Sequence, residues 1–212
     1  MSITQAQLLE SIRSAYNKVL QYVAENPKEK HGDLSTLQLR SFKWVSLLAL
    51  ELQQLWMQQQ GVVTCFKQLG NHAPLTAGEL LTDIHVVQTS EVLSIQRGTP
   101  IPFATRSLLA VESEFSHNSR ELLYDLGKLF LVRAPWLIFV SSRAGRKLDQ
   151  NLQTFQLRMY AEAAKLGLPV DANLLIAVMP DPDEWDKGAV EKELQTYLYS
   201  VASQSLEQVF ST

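Results

Sequence analysis

The chain has 212 residues, of which 46% are hydrophobic and 19% are charged, so it is long enough for one domain with a sizeable core and is not a disordered protein. No apolar run reaches membrane-spanning length, and the amino terminus has neither the basic start nor the apolar core of a signal peptide, so a cytoplasmic protein is expected. The formal net charge of −3 excludes indiscriminate nucleic-acid binding by the whole surface, although a local basic groove stays compatible with it.

Two amphipathic helices are predicted in the first 60 residues. The first covers 4–25, with Thr4 as its N-cap, and ends where Pro27 and Gly32 interrupt a charged stretch. The second runs from about 35 to 60, and Glu51 falls within its apolar line. An acid in an apolar line indicates either a buried site or a boundary residue that reaches solvent.

The remainder of the chain predicts a mixed sheet. After Gly61, short β-type runs predict an antiparallel meander, and beyond it strands alternate with single helices, as parallel neighbours do. The predicted strands are 62–66, 80–87, 108–115, 136–141 and 174–179, and the predicted helices are near 119–133, 147–166 and 187–206. We therefore expect an α/β (α+β mixed sheet) fold, a central sheet flanked by helices, in a single domain over 1–212. Its parts are an amino-terminal helix and loop (1–34), a core (35–141) and a carboxyl-terminal α/β extension (142–212).

Two acids one residue apart, Glu112 and Glu114, end the strand 108–115. Side chains alternate along a strand, so both carboxylates emerge on one face and repel each other unless a cation or a proton intervenes. The pair predicts a metal site or an acid–base site. The alternative is a polar strand face that is merely solvated.

Asp83 lies at the start of another predicted strand, on the same face as His85. If that strand lies beside Glu112, adjacent strands are about 4.8 Å apart and the two carboxylates could share a hard divalent cation such as Mg²⁺. Glu51 would complete the set if its helix packs on the sheet. Asp83 also fits an ordinary strand start, and a lone histidine such as His85 is commonly just a satisfied polar residue.

Lys128 and Cys65 each have a functional and a structural interpretation. Lys128 follows Asp125 by three residues, which predicts an ion pair within the helix, or else a catalytic ammonium that reaches back over the acids. Cys65 has apolar neighbours, which favours a buried structural thiol over a nucleophile. With four histidines and one cysteine in the chain, a zinc site is unsupported.

A basic turn follows the apolar strand 136–141. Its hydroxyls, guanidinium groups and the backbone N–H groups at the next helix start suit phosphate, so Ser142, Arg143, Arg146 and Lys147 are predicted to bind it. The segment 97–165 has ten Lys and Arg against six Asp and Glu, which places positive charge near the acid pair. A solvated basic turn is the alternative. The turn is not a Walker A loop, because it lacks the glycine spacing and the Lys-Ser/Thr ending of that motif.

The order of these elements resembles the restriction-endonuclease-like (PD-(D/E)XK) superfamily over about 35–141. The resemblance implies that Asp83 and Glu112 bind Mg²⁺ or Mn²⁺ and that Glu51 is the extra acid some members supply from the first helix. Thr82 replaces the motif proline, and Glu114 replaces the motif lysine. In members that take the lysine from the following helix, Lys128 would be its counterpart.

The leading expectation is a Mg²⁺-dependent nuclease that hydrolyses phosphodiester bonds in DNA, with Glu112, Glu114 and Lys128 as catalytic residues. Two alternatives stay open. One is a catalytically inactive scaffold that acts as an interaction or nucleic-acid-binding module, for example a homodimer formed through the amino-terminal helices. The other is an enzyme on a different α/β scaffold that holds a phosphorylated small molecule at the basic turn.

Overall fold

The computed structural model describes residues 3–27, 35–66, 82–95, 98–144, 150–186 and 193–211. Within these ranges the chain forms four α-helices and seven β-strands. The helices are α1 (Gln5–Glu25), α2 (Thr36–Leu55), α3 (Ser119–Phe130) and α4 (Gln150–Gly167). The strands are β1 (Val62–Phe66), β2 (Ile84–Leu93), β3 (Pro100–Glu114), β4 (Trp136–Ser142), β5 (Asn173–Met179), β6 (Gln195–Ser200) and β7 (Ser205–Ser211).

All seven strands belong to one mixed sheet in which neighbours follow the order of the chain. β1, β2 and β3 form an antiparallel meander, β3, β4 and β5 run parallel, and β6 and β7 return antiparallel. The parallel pairs need crossovers, which α3 and α4 supply. The predicted mixed α/β class, with its meander and alternating helices, is confirmed at this level.

The two amino-terminal helices begin where the sequence provides capping boxes. The Thr4 hydroxyl accepts a hydrogen bond from the backbone N–H of Gln7, whose side chain returns to the backbone of Thr4. Ser35 and Gln38 repeat this arrangement at the start of α2. Each pair satisfies donors that the first helical turn would otherwise leave open, so the predicted start of each helix is correct to within a residue.

The sheet has a separate apolar core on each face. Helices α1 and α2 cover one face, where Trp44 and Leu48 pack against Val111 and Ile138. Helices α3 and α4 cover the other face. Because side chains alternate along β3 to β5, each parallel strand contributes to both cores, which is why these strands read as nearly continuous apolar runs.

The prediction of a carboxyl-terminal helix near 187–206 is wrong. Strand β6 and the start of β7 lie in the described part of that range, and residues 187–192 lie outside the described part of the chain. Tyr197 and Tyr199 pack on the α3/α4 core, whereas Leu198 packs on the opposite core. This alternation has the period of a strand, and the aromatic side chains fit a half-buried sheet better than a helix.

None of the helices in the described ranges combines the length and the apolar character that crossing a membrane requires.

Candidate active site

The acids singled out on the meander lie on the face of the sheet that α3 covers. Glu112 is buried and contacts α3, whereas its neighbour Ser113 faces α2 and accepts a hydrogen bond from the indole N–H of Trp44. Asp83 lies one step beyond Ile84, which pairs with Val111, so Asp83 is beside Glu112. The Asp83 carboxylate accepts a hydrogen bond of 2.8 Å from the backbone N–H of Ser113.

Glu112 retains its proton near neutral pH. Burial raises its pKa to about 8, and the negative charge of Asp83 adds to the increase. The nearby ammonium of Lys128, whose Nζ lies 3.4 Å from Glu112 Oε1, acts in the opposite direction without cancelling it. A carboxyl group in this position is an acid that can donate a proton at pH 7.

Lys128 links two of the acids. Its Nζ lies 2.6 Å from Asp125 Oδ1, which confirms the predicted ion pair within the helix, and it also reaches Glu112. Burial alone would lower the pKa of Lys128, but the contacts with Asp125 and Glu112 raise it above the ordinary value. The lysine is therefore a permanent cation that balances the carboxyl groups around it.

Glu114 extends the network toward the end of the strand. Burial and a hydrogen bond with the Asp125 carboxyl group raise its pKa to about 7, although Glu114 Oε1 also accepts a hydrogen bond of 2.6 Å from the backbone N–H of Ser116. Asp125 thus contacts both Glu114 and Lys128. A carboxyl group that titrates near pH 7 can act as either a general acid or a general base.

A cavity of about 440 Å³ opens where β3 and β5 end. Its walls come from the start of α2, the segment after β3 and the segment after β5, and they include Ser41, Glu114, His117, Asp181 and Asp183. A second cavity, of about 310 Å³, shares Ser116 and His117 with it. In open α/β sheets, ligands bind at the carboxyl ends of the parallel strands, so this cleft is the expected place for a ligand.

His117 and Asp181 form a pair in the cleft that the sequence analysis missed. The Nε2 atom of His117 lies 3.0 Å from Asp181 Oδ2. Burial raises the pKa of Asp181, and His117 opposes that shift. Both residues follow predicted parallel strands at their carboxyl ends, so the rule that ligands bind at this edge was the available signal.

Glu51 and His85 do not join the acid network. Glu51 forms an ion pair with Lys18 of α1, on the opposite face of the sheet from Glu112. The imidazole of His85 hydrogen-bonds to Ser107, and burial lowers its pKa. The interpretation of Glu51 as an extra metal acid from the helix is therefore not supported by its position, because α2 covers the other face.

The predicted phosphate-binding turn is only partly described. Ser142 is buried and donates a hydrogen bond to the carbonyl oxygen of Phe115. Arg143 is also buried, and its guanidinium lies 3.0 Å from Glu184. These two side chains support the fold rather than an open anion site, and Arg146 and Lys147 lie outside the described residues.

In the described part of the chain, no group of three or more His, Cys, Asp or Glu side chains is arranged to hold a metal ion. Beside Asp83, the Glu112 carboxyl group has the Lys128 ammonium against it. The magnesium (or manganese) ion stays a prediction of the sequence. Cys65 is buried, as its apolar neighbours predict.

No family model and no curated protein matches this chain. Among solved structures it is similar to the crystal structure of a carbon-nitrogen hydrolase from Helicobacter pylori G27. The two share 10% sequence identity, the match covers 95% of this chain and 80% of that chain, and the TM-score is 0.40. A similarity at this level carries no conclusion about the activity of this chain.

The comparisons do not support the restriction-endonuclease-like identification or the predicted DNA nuclease activity: no family model matches, and the solved structure that is similar is that of a carbon-nitrogen hydrolase. The physical source of the error is the acid pair on β3. Its carboxyl groups are balanced by Lys128 and by retained protons, and spacing alone does not distinguish that arrangement from a metal cluster. DNA and a homodimer as partners stay predictions of the sequence.

Proposed function

We propose that this chain is a hydrolase that cleaves an ester or amide bond of a small molecule by general acid–base catalysis. The observation that carries the proposal is the position of Glu114. Its carboxyl group has a pKa of about 7 and lines the 440 Å³ cavity at the carboxyl edge of the parallel strands. A titratable group with a shifted pKa in a cleft is a candidate for catalysis on physical grounds.

Two side chains in the cleft supply the two proton transfers that hydrolysis needs. In its ionised form, Glu114 accepts a proton from a water molecule, and the water oxygen then attacks the carbonyl carbon of the substrate. His117, whose Nε2 lies 3.0 Å from Asp181 Oδ2, donates a proton to the leaving alcohol or amine. The attacking oxygen forms the new bond to carbon, and the bond to the leaving group breaks.

Asp125, Lys128 and Glu112 keep Glu114 in its working range. Asp125 shares a hydrogen bond with Glu114, and Lys128 fixes the Asp125 carboxylate at 2.6 Å. Glu112 in its neutral form adds no further negative charge beside the lysine. These three residues act through Glu114, so they are positioning residues of the site.

The test compares the wild-type protein with Glu114→Gln on chromogenic acetate esters and anilides between pH 5 and 9. The wild-type rate is expected to rise with pH around 7, as Glu114 ionises. The Gln side chain cannot accept the proton, so kcat/KM is expected to fall by about 100-fold or more. Circular dichroism at pH 7 checks that the variant is folded.

The matched control is Glu91→Gln, the same change at an exposed position of β2 away from the cleft. It is expected to leave kcat/KM unchanged. A Glu114→Gln protein that is folded and as active as the wild type would contradict the proposal. So would an absence of hydrolysis of every ester and anilide by the wild type.

A further inference from the structure

A third cavity, of about 380 Å³, lies at the opposite end of the parallel strands from Glu114. We name it the arginine cavity. It is lined by Arg106, Arg133, Ala134, Pro135, Pro169, Val170, Asp171 and Ala172. Nothing in the proposed hydrolysis uses these residues.

The two arginines reach the cavity from different elements. Arg106 lies on β3, and Arg133 lies in the connection from α3 to β4. Leu109 pairs with Trp136 in the parallel register, and each arginine is three residues before one of these partners. The two arginines therefore stand at equivalent positions of the parallel register, Arg106 within β3 and Arg133 just before β4 begins.

Neither guanidinium is neutralised by the part of the chain that the structure describes. Arg13, Arg40 and Arg143 each have a carboxylate at 3.0 Å or less, whereas Arg106 and Arg133 have no described carboxylate within ion-pair distance. Both side chains are exposed, and guanidinium groups that line one cavity from two elements favour an anion between them.

We propose that the arginine cavity binds a small organic phosphate monoester. Two planar guanidinium forks match the oxygens of a phosphate dianion, which can accept paired hydrogen bonds from each. The organic part of the ligand packs on Pro135, Pro169 and Val170, the last of which is 95% exposed. Asp171 also lines the cavity, and its carboxylate repels the phosphate. The ester is therefore oriented with its organic group toward Asp171.

The test measures binding of phenyl phosphate and of inorganic phosphate by titration calorimetry at low ionic strength. Phenyl phosphate is expected to bind saturably and more tightly than inorganic phosphate, because only the ester has a group for the apolar lining. Arg106→Gln and Arg133→Gln are each expected to weaken phenyl phosphate binding about tenfold or more. Asp171→Asn is expected to tighten it.

The matched control is Arg158→Gln, which removes an exposed arginine of α4 outside the cavity and is expected to leave the affinity unchanged. Equal affinity of the wild type, Arg106→Gln and Arg133→Gln proteins would overturn the proposal. So would phenyl phosphate binding no tighter than inorganic phosphate. Glu114→Gln is expected to retain the binding, since Glu114 lies at the other edge of the sheet, so failure of the hydrolase proposal leaves this one standing.

Discussion

At the scale of single residues, Glu112 and Glu114 show how burial makes ordinary carboxyl groups into proton donors. Both side chains leave water, and each meets another carboxyl group, Asp83 or Asp125. One lysine, Lys128, is too little positive charge for all of these acids to ionise together. Protons therefore remain on the site at a pH at which exposed glutamates have lost theirs.

The retained protons make stability depend on pH. The folded-state pKa values, about 8 for Glu112 and about 7 for Glu114, exceed the value of 4.5 for an unperturbed glutamate. The folded protein therefore binds more protons than the unfolded chain between pH 4.5 and 8, and the free energy of unfolding falls as the pH rises through that range. Chemical denaturation at pH 5.5 and pH 8.5 should show this decrease.

A neutral side chain at either position removes one titrating group. Glu112→Gln and Glu114→Gln are each expected to flatten the decrease, by up to about 1.4 kcal/mol per pH unit. Glu91→Gln, at an exposed position, should keep the wild-type slope. A slope that is the same in all three variants would show that these two glutamates do not hold the protons.

At the scale of elements, the entry into the meander depends on a glycine in a left-handed conformation. Gly61 has a φ of 75°, and its carbonyl oxygen accepts a hydrogen bond from the backbone N–H of Thr89 at 2.6 Å. A Cβ atom at Gly61 would lie 2.9 Å from the side chain of Gln88 and 3.0 Å from the carbonyl oxygen of Thr89. The turn that starts β1 thus requires both the left-handed backbone and the missing side chain.

Gly98 provides a matched comparison, because it has a φ of 60° but nothing within 4 Å of a Cβ atom. Gly98→Ala is expected to lower the free energy of unfolding by about 1–2 kcal/mol through backbone strain alone. Gly61→Ala adds a steric conflict and should cost about 1–3 kcal/mol more. Urea denaturation measures both, and equal losses would show that the contacts around Gly61 adjust freely.

At the scale of the whole molecule, one sheet carries two cores, and both must form for either to persist. Leu48 packs on the α1/α2 face and Leu126 on the α3/α4 face, and both are fully buried. The strands β3 to β5 contribute to both faces, so loss of packing on one side loosens the layer on which the other depends. The two cores are expected to unfold together.

Leu48→Ala and Leu126→Ala test this coupling from opposite faces. Each is expected to lower the free energy of unfolding by about 2–5 kcal/mol, because the change leaves a cavity in a packed core. Denaturation followed by tryptophan fluorescence and by circular dichroism should give one shared transition in both variants. Two separated transitions would show that the layers are independent.

Local sequence signals predict the elements of this fold better than its long-range contacts. Capping boxes and apolar periodicity place α1 and α2, and β-branched runs place the parallel strands, because these signals act within a few residues. The pairing of His117 with Asp181 arises only when the sheet brings β3 and β5 to one edge. Apolar periodicity places Glu51 on one face of α2, but it does not show which side of the sheet that helix covers. The sequence therefore does not reveal that Glu51 lies away from the acid network.

The two sides of α3 have different roles, so substitutions on them have different effects. Leu122, Leu126 and Leu129 anchor the helix in the core, while Asp125 and Lys128 lie on the side that meets the acids of β3. Substitutions among the anchors change the stability of the protein, whereas substitutions on the polar side change the charge around the acids of β3. A lineage could therefore alter the electrostatics of the acid network through one side of a single crossover helix, while selection on the opposite side preserved the architecture.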